Sequence, residues 1–220
     1  MVQTNLQTTV PPEVQADEQL EDSIQRVSFE DFLETGPETG HYELHDGVIV
    51  ELQPTGIHED IGGFIAAELN FQIRNQNLPY SVPRSGIVRS PDAKSGYRPD
   101  IIVLNRPSLV EEPLWEKRST VTLGRSIKVV IEVASTNWRD DYLRKLKDYE
   151  EMQIPEYWIV DHLGLAATRY IGEPKQPTLS IYTLEGEDYR VNQFRGEERL
   201  LSAAFPELEL TAAQVFQAQH

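Results

Sequence analysis

The spacing of hydrophobic positions switches along the chain between two residues and about 3.6 residues. Alternating runs flank Asp46-Gly47 in HYELHDGVIVELQ, and because this dipeptide favours a two-residue turn, the segment is predicted to be a β-hairpin. From 58 to 76 the spacing becomes helical and places four aliphatic residues on one face: Ile61, Ile65, Leu69 and Ile73. The chain is therefore predicted to combine strands with helices.

Further along, three apolar runs are typical of strands: YSVPRSGIVRS, PDIIVLN and IKVVIEV. The spacing over 138–153 predicts a second helix, EYWIVD predicts a strand after it, and TAAQVFQ predicts a short closing helix. Residues 165–194 predict antiparallel strands joined by Gly and Pro turns. The segment 109–124 has no clean period, so we expect a loop or flap that contacts substrate or a second subunit.

The order of these elements predicts one α/β domain over residues 27–220, in which helices flank a mixed sheet with an antiparallel β extension. Residues 1–26 are polar and acidic, as is typical of a flexible arm, and Ser28 then caps a short helix. The chain has no cysteine, which excludes disulfides and thiolate metal sites. It has no run of about 20 apolar residues and no secretion signal, so we expect a soluble cytoplasmic protein without membrane contact.

Charge is distributed unevenly along the chain. The net charge of −16 disfavours a general nucleic-acid binder, because a polyanion is repelled by a negative protein. Between Arg84 and Lys147, however, 13 Lys and Arg residues oppose 8 Asp and Glu residues, which gives a local net charge of +5. This third of the chain is therefore compatible with an anionic substrate.

Two acidic residues lie in or beside predicted strands. Glu132 interrupts IKVVIEVAS, and a buried carboxylate is costly unless it is paired or binds a metal. Asp100 opens the apolar run PDIIVLN. Two carboxylates on neighbouring strands form an all-oxygen site that suits Mg²⁺ or Mn²⁺. The structural alternatives are an arginine partner for Glu132 and ordinary turn chemistry for Asp100.

Lys145 is the most informative residue of the second predicted helix. On a helical wheel with Lys145 at 0°, Trp138 falls at about +20° and Met152 at about −20°, so the lysine lies within the apolar stripe. A lysine directed at a sheet needs a negative partner or a function. Asp141, one turn earlier, supplies the partner if the role is structural. If the role is functional, the lysine and the two acids bind a divalent metal and stabilise charge on a phosphate.

The segments PDIIVL and IEVASTNWRDDYLRKLKDYEEMQIPEYWIVD, in this order, resemble the Uma-two restriction-endonuclease family, a branch of the PD-(D/E)XK nuclease-like superfamily. The hairpin and the helix from His58 also fit, so the resemblance spans residues 29–210. It implies a restriction-endonuclease-like fold in which Asp100 and Glu132 bind the metal. The superfamily's lysine normally lies two residues after the glutamate, where this chain has Ala134, so Lys145 would replace it.

Further residues complete the predicted site. The resemblance suggests Glu43 as a supporting residue and His58 as a metal ligand, whereas the structural alternatives are a solvated hairpin face and a helix end half in water. The backbone carbonyl of Val133 is a further candidate ligand. The candidates that would support the metal ligands are Ser135, Asp141 and Tyr149.

The function predicted from these residues is metal-dependent endonuclease activity that uses Mg²⁺ or Mn²⁺ to hydrolyse phosphodiester bonds. The expected substrate is DNA in preference to RNA. Lys145 would assist the attacking water, and the resemblance implies a homodimer because cutting both strands takes two active sites. The main alternative is a catalytically inactive nuclease-fold interaction module whose acidic surface binds a protein. A two-carboxylate glycoside hydrolase is a third hypothesis, which the buried lysine disfavours.

Overall fold

The computed structural model describes residues 26–37 and 40–218, and the predicted arm lies outside this part except for Arg26. The strands are β1 His41–His45, β2 Val48–Leu52, β3 Tyr80–Ser81, β4 Ile87–Arg89, β5 Gly96–Tyr97, β6 Ile101–Asn105, β7 Thr120–Val121, β8 Ile127–Val133, β9 Glu156–Asp161, β10 Thr178–Glu185 and β11 Asp188–Phe194. The helices are α1 Phe29–Thr35, α2 Gly56–Asn75, α3 Trp115–Arg118, α4 Leu146–Glu151, α5 Thr168–Ile171 and α6 Ala212–Phe216. A π-helical stretch, Asp140–Lys145, leads directly into α4.

The strands form two sheets. The larger has the order β11-β10-β9-β8-β6-β3, in which β8 and β9 are parallel and the other neighbours are antiparallel. The predicted mixed sheet is thus confirmed, with β10 and β11 as its antiparallel extension. The smaller sheet has the order β2-β1-β5-β4-β7 and contains the hairpin, which the sequence pattern did not separate from the main sheet.

Local signals explain the hairpin and the long helix. Asp46 and Gly47 have φ values of 48° and 83°, the left-handed backbone that a tight two-residue hairpin turn requires, and His45 pairs with Val48. Thr55 begins α2 by accepting a hydrogen bond from the His58 N–H. The predicted apolar face of α2 is buried, as its four aliphatic residues show: Ile61, Ile65, Leu69 and Ile73.

Three regions differ from the predicted elements. The run YSVPRSGIVRS is not one strand, because β3 and β4 lie in different sheets and Pro83, which has no N–H to donate, lies between them. Residues 165–177 contain the short helix α5, and antiparallel strands begin only at β10. The segment 109–124, expected to be a loop or flap, contains the end of the 3₁₀-helix Arg106–Glu111, the helix α3 and the short strand β7.

The larger sheet buries apolar side chains on both faces, as predicted for its interior strand β8. One face packs against α2 and α6. The other packs against the π-helical stretch, α4 and the smaller sheet. Within the described part of the chain, no helix combines the length and hydrophobicity needed to cross a membrane. The helix that carries Lys145 therefore contacts both sheets, and this arrangement builds the site.

Candidate active site

Lys145 lies at the centre of a buried cluster of acids. Its Nζ is 3.1 Å from Glu43 Oε1, 3.2 Å from Glu132 Oε1 and 3.4 Å from Asp141 Oδ1. Each acid comes from a different element, namely β1, β8 and the π-helical stretch. Because the lysine side chain is only 6% exposed, solvent screens these charges weakly. We call these four residues the lysine–acid cluster.

The π-helical stretch positions the lysine. A π-helix closes hydrogen bonds from residue i to i+5 and is found frequently at functional sites. Lys145 is the last residue of this stretch, and it lies on the same buried side as Asp141 and Tyr149. The prediction that Lys145 lies within the buried stripe is therefore confirmed, although the helix is locally wider than the regular wheel assumes.

Asp100 joins the start of β6 to the end of β8. Its Oδ2 accepts a hydrogen bond from the Val133 N–H at 2.7 Å, beside Glu132. Its Oδ1 lies 2.8 Å from His58 Nε2. That nitrogen is buried, yet it makes no well-oriented hydrogen bond with any described residue. A carboxylate oxygen and an imidazole nitrogen therefore lie side by side, an arrangement that suits two ligands of one cation.

Further polar contacts hold the acids of the cluster in place. The Tyr149 hydroxyl donates to Glu132 Oε1 at 3.1 Å. His45 Nε2 lies 2.7 Å from Glu43 Oε2, and the Arg98 N–H donates to Glu43 Oε1 at 2.7 Å. These contacts fix the orientation of two carboxylates that would otherwise repel each other.

Burial and charge push the pKa values of the acids apart. Burial raises the pKa of Asp141 to about 7 and that of Glu132 well above its usual range, and nearby acids add to both effects. Burial acts upward on Glu43 as well, but Lys145 and His45 outweigh it and hold its pKa at about 2. The cluster therefore carries more acid than one ammonium group neutralises.

Burial acts in the opposite direction on the pKa values of the two basic groups. Burial alone would lower the pKa of Lys145, but the three carboxylates raise it well above its usual range, so the lysine stays charged. Burial acts in the same way on His58, and Asp100 outweighs it and raises the pKa. Both basic groups are thus bound electrostatically to neighbouring acids.

The structure brings together most of the predicted site residues. Asp100, Glu43, Glu132, Asp141, Lys145 and Tyr149 lie in or against the lysine–acid cluster, and His58 contacts Asp100. Ser135 does not join them, because it is exposed and its Oγ accepts a hydrogen bond from the Asn137 N–H. Across residues 26–37 and 40–218, no three His, Asp or Glu side chains already converge on one metal position.

Sequence reasoning named Glu43 of the hairpin only as a supporting residue, and it missed both the contact of Glu43 with Lys145 and the role of His45. Glu43 is 1% exposed and His45 is 9% exposed, so their face is not the solvated surface that was the alternative. The signal was visible in the alternation of His41, Glu43 and His45 on one face, but His41 is the only one of the three that is exposed. Arg98, which bonds Glu43 through its backbone, carried no sequence signal.

Comparison with known proteins places the chain in a family. The sequence model of Uma2, the Uma-two family, described as "Putative restriction endonuclease", matches residues 29–213. The chain belongs to this family. A search of curated proteins finds no match.

A solved structure has a similar fold. It is described as a "putative nuclease belonging to DUF820" from Anabaena variabilis, and it aligns with a TM-score of 0.67 at 16% sequence identity. The alignment covers 88% of this chain and 99% of that one. At this identity the likeness shows the fold, and the predicted nuclease-like α/β fold is confirmed.

Proposed function

We propose that this chain is a metal-dependent nuclease that hydrolyses phosphodiester bonds of nucleic acid. DNA is the proposed substrate in preference to RNA. The observation that carries the proposal is the buried lysine shared by three carboxylates, together with Asp100, which is bonded to the Val133 N–H beside Glu132 and contacts His58. Membership of a family described as "Putative restriction endonuclease" supports it. The predicted homodimer and the predicted cytoplasmic location belong to the same proposal.

Asp100 and Glu132 would hold Mg²⁺ or Mn²⁺, with His58 and the Val133 carbonyl as further ligands. The fit rests on His58 Nε2, a buried nitrogen without a well-oriented partner, which lies 2.8 Å from Asp100 Oδ1. Proteins often bind Mg²⁺ through only one or two carboxylates, and water and phosphate oxygens complete its shell. When bound, the metal would lower the pKa of a water and neutralise charge on the phosphate.

The remaining residues of the site would act on the reacting groups or position those that do. Lys145 would orient the attacking water and stabilise the charge that develops on the phosphate oxygens. Glu43 and Asp141 would fix the ammonium group, and the Tyr149 hydroxyl would orient Glu132. Because these side chains come from two sheets and a helix, the arrangement is set before substrate binds.

A basic cavity supports an anionic substrate. It has a volume of about 400 Å³, and its charged lining residues are Arg98, Lys117, Arg118 and Glu34. None of these three cations forms an ion pair with a residue of the described chain. The Arg98 backbone also contacts the lysine–acid cluster through Glu43. Arg98, Lys117 and Arg118 therefore offer phosphate contacts within this cavity.

Calorimetric titration with Mn²⁺ tests the metal site directly. We expect the wild type to bind, and we expect Asp100→Asn and Glu132→Gln to lose binding. A matched control is Glu112→Gln, because Glu112 is a buried carboxylate that accepts hydrogen bonds from Thr122 and Leu123 outside the cluster. Wild-type protein that binds no Mn²⁺ at millimolar concentration would refute the metal-dependent mechanism.

The alternative is a catalytically inactive interaction module. It is favoured by the same three ion pairs, since they satisfy Lys145 within the protein, and by the net charge of −16. Cleavage of single- and double-stranded DNA with Mn²⁺ distinguishes the two functions when wild type is compared with Lys145→Met. Lys147→Met, an exposed lysine on the same helix, is the control. Equal cleavage by wild type and Lys145→Met would remove Lys145 from the mechanism.

A further inference from the structure

The outward face of α2 carries a symmetrical set of five exposed residues: Asp60, Gly63, Ala67, Phe71 and Arg74. At 100° per residue they all fall within about 40° of Ala67, on the side opposite the core. Gly63 and Phe71 lie four residues before and after Ala67, and Asp60 and Arg74 lie seven residues before and after it. The set therefore pairs a small residue with a large one, and an acid with a base, about one central position.

Packing against the described residues explains neither Phe71 nor Gly63. Phe71 is 53% exposed. A Cβ added at Gly63 would meet no atom within 4 Å, so no residue in the described part of the chain requires a glycine there. Glycine in an exposed helix interior costs about 1 kcal/mol relative to alanine. A close neighbour outside the chain would account for both residues.

The two charged residues of the set also lack a partner among the described residues. Asp60 and Arg74 form no ion pair with any residue in the described ranges. They lie fourteen residues apart, about 21 Å along a helix, so they do not contact each other within one copy. Each lacks a charge partner that a second helix, running in the opposite direction, would supply.

We propose that two copies of this chain associate through this face, with their α2 helices antiparallel about a two-fold axis at Ala67. In that arrangement Phe71 packs over the partner's Gly63, and Asp60 lies beside the partner's Arg74. Each contact occurs twice, because a two-fold interface uses the same surface on both copies. Gly63 and Ala67 let the helices approach to about 8–10 Å between axes, as packed helices do.

A second copy fits this surface better than an unrelated protein does. An unrelated partner would need its own complementary sequence, whereas here the complement of each residue lies at the mirrored position of the same helix. The helix pair alone would bury an area at the low end of specific interfaces, so we expect association in the micromolar range. This interface assigns a surface to the homodimer of the proposed function, and its test does not require nuclease activity.

Sedimentation velocity from about 1 to about 200 µM tests the interface, since this range brackets a weak dimer. We expect the wild type to dimerise and Phe71→Ser to weaken the dimer about 100-fold, the effect of removing a central apolar anchor. Leu201→Ser, which replaces another exposed hydrophobic residue (62% exposed), should have no effect. Circular dichroism confirms the fold of each variant.

A charge exchange makes the test specific. Asp60→Arg and Arg74→Asp should each weaken the dimer about 10-fold, because each places two like charges together. The double variant should restore it to within about 3-fold of wild type. Wild type that stays monomeric at the highest concentration would overturn the proposal. So would a dimer that Phe71→Ser leaves intact, or a charge exchange that restores nothing.

Discussion

Glu132 and Glu156 are buried carboxylates on the neighbouring parallel strands β8 and β9, on opposite faces of the larger sheet. Glu132 is 4% exposed and Glu156 is fully buried. Both stand among apolar residues in the sequence, and no local pattern distinguishes them. Their surroundings in the folded protein differ completely.

Neutral groups surround Glu156. Its oxygens accept hydrogen bonds from Trp158 Nε1 at 2.6 Å, Ser202 Oγ at 2.5 Å, Ala203 N at 2.7 Å and Ala204 N at 3.2 Å. Glu132 instead shares Lys145 with two other acids. Burial alone therefore does not mark a functional carboxylate. An excess of acid over its basic partners does, because that excess favours a bound proton or cation.

The largest expected difference between the two carboxylates concerns activity. Glu132→Gln should lower Mn²⁺-dependent DNA cleavage at least about 1,000-fold, because it removes a proposed metal ligand and the partner of the lysine. Glu156→Gln should retain activity, since its oxygens contact no residue of the cluster. Measured turnover numbers for both variants decide the comparison, and equal losses would contradict it.

Stability should show the reverse order. Glu156→Ala leaves four buried donors without an acceptor, and we expect it to lower the free energy of unfolding by about 2–4 kcal/mol. Glu132→Gln keeps the shape and an acceptor oxygen, so its change should stay within about 1 kcal/mol. Urea unfolding monitored by fluorescence measures both values. A larger loss for Glu132→Gln would assign that residue a structural role.

Mn²⁺ should stabilise the folded protein only by binding at the proposed metal site. At Mn²⁺ concentrations about 100 times the dissociation constant, we expect the wild type to gain about 2.7 kcal/mol. Asp100→Asn and Glu132→Gln should gain nothing, and Glu156→Gln should match the wild type. Thermal unfolding with Mn²⁺ and with chelator provides the readout. Equal stabilisation of all four proteins would indicate binding elsewhere.

Within the lysine–acid cluster, two acids should give opposite pH dependences. Burial raises the pKa of Asp141 from 3.8 to about 7, so the folded protein holds a proton that the unfolded chain loses first. The tighter binding of this proton by the folded protein contributes to the free energy of unfolding. The contribution is complete below about pH 4 and is lost as the pH rises to about 7. Asp141→Asn should therefore gain stability relative to wild type as the pH rises, in urea unfolding with chelator present.

Glu43 supplies the contrasting acid. Its pKa is held at about 2, below the ordinary 4.5, so its contribution is present above about pH 4.5 and lost as the pH falls towards 2. Glu43→Gln should cost stability at neutral pH and little at pH 2, in the same unfolding experiment. Parallel pH profiles for Glu43→Gln and Asp141→Asn would mean that Lys145 does not divide the acids in this way.

Local periodicity and turn chemistry were sufficient to predict several elements. The hairpin turn at Asp46-Gly47, the buried face of α2 and the inward direction of Lys145 all followed from spacing and turn chemistry, because neighbouring residues fix them. The division into two sheets did not follow from it. The sequence pattern of YSVPRSGIVRS does not predict that its two halves pair with strands of different sheets.

The sequence by itself determined the inward faces of α2 and of the helix at Lys145, and it identified Asp100, Glu132 and Lys145 as chemically unusual. Only the tertiary structure decided which acids share the lysine, that Glu43 of the hairpin is one of them, and that Ser135 remains outside. The physical reason is that periodicity is a property of a few consecutive residues, whereas the lysine–acid cluster joins Lys145 to acids that lie 4, 13 and 102 residues away in the sequence. The distances between those residues are set by how two sheets pack against one helix.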